Sequence, residues 1–191
     1  MIGSPNAIIL KLLSQNRATV FRISDVAMIT GETNRSRLVQ RLRYGVSKGY
    51  LVSPCKGIYA KKDFSMEELA CKLYVPSYIS LDTVLQKAGV IFQYSSEISL
   101  VSYLSRSVDL SGKSIRYRKI KNEIIVDMRG INRGEVNEAT PERAFLDTLY
   151  LNSHYHFDNP SVLDKNGIEN LLSIYNSSTL AKRAHKILSH V

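Results

Sequence analysis

Cysteine is scarce in this 191-residue chain: Cys55 and Cys71 are the only two. Two thiols are too few for a disulfide framework or a cysteine-built zinc site, so a reducing cytoplasm is the expected setting. Long apolar runs are missing as well, none approaching the ~18–20 residues that a membrane span requires. The segment from Met1 to Leu13 has a short apolar stretch but no positive cluster ahead of it and no small-residue cleavage site, so no secretory signal is expected. No internal repeat or low-complexity tract interrupts the sequence.

The signatures of catalysis are also lacking. Gly130 and Gly134 are separated by an ordinary loop and do not make a phosphate cradle. There is no G-x-S-x-G elbow and no Cys/His pairing. His154, His156 and Asp158 form an H-x-H-x-D string, but His185 and His190 are the only other histidines, and a polar loop after a helix accounts for the string. Asp127, Glu135, Glu138, Glu142 and Asp147 are numerous enough to suggest a nuclease-like pair, yet Glu142 suits a helix start and Asp147 a helix surface. The expectation is therefore a non-enzyme with no catalytic residue, no metal and no cofactor. The rival from another class is a metal-dependent nucleic-acid-processing enzyme that uses the carboxylates of 123–147.

Acidic residues are unevenly absent. Residues 1–62 hold 11 Lys+Arg and two acids, Asp25 and Glu32, a net +9 that equals the formal charge of the whole chain. Residues 63–191 hold 15 of each sign, and from Thr33 to Lys62 there is no acid at all. Charge segregated in this way suggests a nucleic-acid or membrane partner for the basic segment. With 44% hydrophobic and 23% charged residues, the chain has the composition of a folded, soluble protein of one large or two small domains.

The basic segment has the punctuation of a small helical domain. Ser4 and Pro5 predict a helix start, Ile8, Ile9, Leu12 and Leu13 an apolar stripe, and Gln15–Asn16 its end. A β-like run, Thr19 to Arg22, precedes a helix capped by Ser24 and stopped by Gly31. Thr33 is expected to cap a third helix running to about Lys48, with Leu38, Val39, Leu42 and Val46 on one side. Ser36, Arg37, Gln40, Arg41, Arg43 and Tyr44 cover the other. Tyr50–Ser53 and Gly57–Ala60 are strand-like and joined by a turn-rich link.

Three helices followed by a basic hairpin is the order of a winged helix-turn-helix. A helix fits the DNA major groove and its side chains reach base edges, while a wing rests on the sugar-phosphate backbone. Asn34, Arg35, Arg37, Gln40 and Arg41 are the residue types that read bases, and Lys56, Lys61 and Lys62 suit phosphate contacts. A solvated basic helix face and a winged helix used for protein docking are the plainer alternatives.

Residues 65–191 predict a second, mixed domain after a winged helix at 1–64, and hence an α+β protein. Ser65 to Glu68 is a capping-box pattern for a helix to about Val75, and a second short helix spans 80–88. Strands are expected at 97–105, 113–121 and 123–128, and helices at 140–151, 167–175 and 178–189. Ile115 and Tyr117 alternate with Arg116 and Arg118, which predicts one apolar and one basic face. Lys113, Arg116, Arg118, Lys119 and Lys121 thus form a second basic cluster, open to three readings: a charged edge strand, a nucleic-acid contact or a docking face for an acidic partner.

Three segments carry a family resemblance. They are Arg37-Leu38-Val39-Gln40-Arg41-Leu42-Arg43-Tyr44-Gly45-Val46 with Lys48-Gly49-Tyr50-Leu51 and Lys56-Gly57-Ile58-Tyr59; Tyr78 to Leu85 followed by Gly89; and Ala139-Thr140-Pro141-Glu142-Arg143-Ala144-Phe145-Leu146-Asp147. Their order and spacing over roughly residues 20–150 resemble AbiEi-type antitoxins. The resemblance implies an N-terminal winged helix that binds inverted repeats of double-stranded DNA in its own operon's promoter and represses it. It also implies a C-terminal domain that counters a nucleotidyltransferase toxin encoded alongside, without requiring a stable complex, as in type IV toxin-antitoxin systems.

Overall fold

The computed structural model describes residues 5–14, 17–110 and 112–189, with side chains from Ile8 onward. The expected cap at Ser4, the helix end at Gln15–Asn16 and His190 lie outside the described residues. The fold is mixed α+β, in two compact units, Met1–Leu73 and Tyr74–Val191.

The first unit runs α1 (Pro5–Ser14), β1 (Val20–Arg22), α2 (Ile23–Thr30), α3 (Arg35–Ser47), β2 (Val52–Cys55), β3 (Ile58–Ala60) and α4 (Met66–Leu73). Its three strands form an antiparallel sheet in the order β1-β3-β2, with Val20 opposite Ala60 and Cys55 opposite Ile58. Lys56 and Gly57 make the tight turn of the hairpin, and Gly57 takes φ +83°, a left-handed conformation that costs glycine nothing. Leu12, Phe21, Val26, Leu38, Leu42 and Leu51 form the core. Gly45 lets α3 close on that core, because a Cβ there would stand 3.1 Å from Ile9 Cδ1 and 3.2 Å from Leu51 Cδ1.

Two caps differ from expectation. Arg22, not Ser24, precedes α2: the Asp25 carboxylate turns back to accept from the Arg22 amide at 2.9 Å. Asn34, not Thr33, caps α3, its Oδ1 accepting from the Arg37 amide at 3.0 Å. The shifts, two residues for α2 and one for α3, follow from which side chain reaches the free amides at the helix start.

The capping-box expectation at residue 65 holds only in part. The Ser65 hydroxyl accepts from the Glu68 amide at 3.2 Å, as a cap should. The Glu68 carboxylate, however, crosses to β1. It accepts from the Thr19 amide at 2.8 Å, the Thr19 hydroxyl at 2.5 Å and the Val20 amide at 3.1 Å, and pairs with Lys72 Nζ at 2.7 Å. This clamp binds α4 to the first sheet, so the boundary falls one helix later than residue 64. With α4 included, the first unit has 12 Lys+Arg against five Asp+Glu, a net +7.

The second unit contains β4 (Ser77–Ile79), α5 (Asp82–Lys87), β5 (Ile98–Ser102), β6 (Arg106–Leu110), β7 (Lys113–Lys119), α6 (Asn122–Val126), β8 (Ile131–Asn132) and β9 (Glu138–Ala139). It continues with α7 (Pro141–Leu151), α8 (Lys165–Leu172) and α9 (Ser178–Leu188). Its six strands are ordered β6-β7-β5-β4-β9-β8, mixing parallel and antiparallel pairs. The expected strand at 123–128 is instead the helix α6. Adjacent Ile124 and Ile125 are both buried, whereas a strand would send them to opposite faces. The segment 97–105 is strand only at 98–102, where all five residues are buried.

Arg143 and Asp147 on α7 are fully buried, and they organise this unit. The Arg143 guanidinium donates to Asp147 Oδ1 (3.4 Å), Tyr78 Oη (3.1 Å) and the carbonyls of Ile124 (2.7 Å), Asp127 (3.2 Å) and Arg129 (2.9 Å). Asp147 in turn accepts from the hydroxyls of Tyr78 (3.0 Å), Ser80 (2.9 Å) and Tyr175 (2.7 Å). The expectation that Asp147 sits on a helix surface is thus overturned. Its carboxylate is a core group, held there because four donors replace the water it has lost.

Candidate nucleic-acid interface

The helix α3 packs Leu38, Leu42 and Gly45 inward and turns Arg35, Ser36, Arg37, Gln40, Arg43 and Tyr44 to solvent. With 3.6 residues per turn, Ser36, Gln40 and Arg43 lie opposite the buried stripe. Arg35, Ser36, Val39, Gln40 and Arg43 line one open depression along this face. Val39, expected on the apolar side, therefore contributes a half-buried apolar floor between polar groups. Tyr44 carries the Lys48 ammonium over its ring at 5.9 Å, which holds a positive charge at the C-terminal end of the face.

Arg37 and Arg41 occupy the flank of the helix, where Glu32 meets both. The Glu32 carboxylate lies 3.5 Å from Arg37 Nη1 and 3.8 Å from Arg41 Nη1. Its other oxygen accepts from the Asn34 amide at 3.0 Å. That backbone hydrogen bond, with the two arginines, holds the Glu32 carboxyl below the usual glutamate range. Arg41 is largely covered, its side chain 14% exposed, against 53% for Arg37. Asn34 spends its side-chain oxygen on the cap and keeps its amide donors for other partners.

Lys56 on the hairpin turn and Lys62 beyond the hairpin are exposed, and Lys61, just after β3, is half-exposed. Cys55 is half-buried and burial pushes its thiol up, away from the reactive thiolate.

The second basic cluster is divided. Arg116 and Arg118 alternate with Ile115 and Tyr117, both buried, as the pattern predicts. Lys113 and Lys119 fall on the Ile115 side of that alternation, and Lys121 lies past the strand end, so the five residues do not share one face. β7 is an interior strand, between β6 and β5, which removes the edge-strand reading. Arg116 is paired with Glu97 at 3.0 Å.

The carboxylates considered for metal chemistry are dispersed and engaged. Asp127 pairs with Arg129 at 2.7 Å, Glu138 with Lys87 at 2.9 Å, and Glu142 accepts from the Asp164 amide at 3.2 Å. In the H-x-H-x-D string, Asp158 accepts from the Phe92 amide at 2.8 Å, and His156 is 3.7 Å from Asp158. Among the described residues, no three His, Cys, Asp or Glu side chains gather as a metal-binding group. No helix among them is long and apolar enough to cross a membrane.

The outward residues of α3 and the lysines at 56, 61 and 62 thus belong to one compact unit, while Arg41 is withdrawn against Glu32. Glu32 is the residue sequence reasoning passed over. It is the single acid between Asp25 and Asp63, and its position just ahead of the α3 cap was the available signal. No family model matches the chain, and no curated protein matches it.

Proposed function

We propose that the first unit is a winged helix-turn-helix that binds double-stranded DNA, with α3 in the major groove and the β2–β3 hairpin as the wing. The observation that carries this reading is the outward face of α3. Ser36, Gln40 and Arg43, flanked by Arg35 and Arg37, are exposed on a helix whose opposite side is sealed into the core. Gln suits adenine and Arg suits guanine through paired hydrogen bonds, and Lys56 on the hairpin turn suits phosphate. Arg43, exposed on the outward face, is placed for base contact as it stands, whereas Arg41 is held against Glu32.

The resemblance to AbiEi-type antitoxins extends the proposal. The protein represses its own operon from promoter repeats in the cytoplasm, and the second unit counters a co-encoded nucleotidyltransferase toxin. Sequence likeness alone supports this second half, through the segments at 78–89 and 139–147. Rescue of cells from the product of the adjacent gene by the full-length protein is the test, and failure to rescue overturns it.

Binding to duplexes from upstream of its own gene tests the DNA reading. Arg43→Ala is expected to cost about 1–3 kcal/mol on the cognate duplex and to relax base preference. Lys56→Ala should weaken cognate and random duplexes alike and lower the salt slope by about one. Anisotropy titrations across a salt series separate the two; identical behaviour of the variants refutes the division between helix and wing.

A further inference from the structure

Glu32 is a costly residue to place beside a helix proposed to enter the DNA groove, since it repels phosphates and subtracts from a basic face. Its carboxylate is nonetheless fixed on three sides, by the Asn34 amide at 3.0 Å, Arg37 at 3.5 Å and Arg41 at 3.8 Å. The backbone beneath it is held too: the Glu32 amide donates to the Thr30 hydroxyl at 3.4 Å, and that hydroxyl donates to the Val26 carbonyl at 2.7 Å. The Glu32 side chain as a whole is 17% exposed, with both guanidiniums within 4 Å of its carboxylate.

We propose that Glu32 is a specificity-determining residue of the DNA interface, holding Arg37 and Arg41 off the phosphate backbone so that only a matching base sequence draws them away. The inference rests on the DNA-binding reading. An unrestrained arginine on the flank of a groove-bound helix gives up counterions to any duplex and so raises affinity without discrimination. An arginine tied to a carboxylate gains less from a phosphate, because it must exchange one anion for another. Only a paired, bidentate contact to a guanine edge, with its added geometry, repays that exchange. The acid therefore lowers binding to random DNA more than binding to the cognate site.

The test compares the full-length protein with Glu32→Gln on a duplex from upstream of its own gene and on a random duplex of equal length, over a salt series. The glutamine amide oxygen retains the Asn34 hydrogen bond while the charge is lost. One to two new phosphate contacts, at a slope of ~0.9 each, should tighten random-duplex binding about 5–30-fold at ~0.15 M salt and steepen its salt dependence to match. Cognate binding should tighten less, so the cognate-to-random ratio falls. Glu32→Asp, one methylene shorter and so drawn back from the two arginines while keeping the acceptor for the Asn34 amide, is expected to shift the ratio the same way, and it guards against a folding defect in the first variant. In an Arg37→Ala/Arg41→Ala background, Glu32→Gln should leave the salt slope unchanged. A cognate-to-random ratio identical in wild type, Glu32→Gln and Glu32→Asp overturns the role of Glu32 while leaving DNA recognition intact. A wild-type protein that does not distinguish the two duplexes overturns the sequence-reading interface itself, and this inference with it.

Discussion

Arg143→Met is expected to remove about 3–5 kcal/mol from the stability of the second unit. The guanidinium is wholly enclosed and its five N–H groups are distributed over Asp147, Tyr78 and three backbone carbonyls. Methionine fills most of the volume but supplies no donor, so it leaves the Asp147 carboxylate without its counter-charge and the carbonyls of Ile124, Asp127 and Arg129 without partners. Lysine is not a substitute: an ammonium has three donors on one centre and does not span that arrangement. Asp147→Asn should cost less, about 1–3 kcal/mol, because the amide keeps the shape and the hydroxyls of Tyr78, Ser80 and Tyr175 can reorient around it. Amide hydrogen exchange along α7 reads the second unit by itself and gives the ranking. Equal losses for the two variants would show that the ion pair matters and the carbonyl contacts do not.

That network also shows what a sequence can disclose. Thr140-Pro141 announces a helix start, and the structure places Thr140 as the cap of α7, accepting from the Arg143 amide at 3.3 Å. Asp147, seven residues after that cap, reads from the sequence as a helix-surface acid. The burial of Arg143 and Asp147 depends on Tyr78 and Tyr175, which lie 65 and 32 residues from Arg143, and local periodicity carries no information across such distances. Strands that are two or three residues long, β4, β8 and β9, escape for a related reason: an alternation needs more repeats to register. The helix α6 is not legible locally, because a β-branched run favours a strand, while burial of both Ile124 and Ile125 selects the helix. On the interface, helical spacing did mark the exposed residues of α3. It did not foresee that Arg41 would be turned against Glu32, because that pairing spans the α2–α3 turn.

The clamp on the first unit gives an effect of similar size and an opposite dependence on acid. Glu68→Ala should destabilise that unit by about 3–5 kcal/mol, because it strands the Lys72 ammonium and removes the acceptor used by the Thr19 amide, the Thr19 hydroxyl and the Val20 amide. The Glu68 side chain is 2% exposed. Burial alone would push its pKa up, but hydrogen bonds from Lys72 and Thr19 outweigh burial and hold it below the ordinary value of 4.5. A carboxyl lowered on folding contributes stability that is fully present above its unfolded value and is lost as pH falls through its folded one. Asp147 has the other sign: burial raises its pKa, so protonation in mild acid is easier folded than unfolded, and this group does not drive acid unfolding. Acid should therefore loosen α4 from β1 before it loosens α7. The expected result is that the stability gap between wild type and Glu68→Gln is widest above pH 4.5 and closes below it. Exchange protection of the Thr19 and Val20 amides, followed as pH falls, reports that gap directly. A gap that stays constant through that range would mean the clamp acts through packing of the side chain and not through its charge.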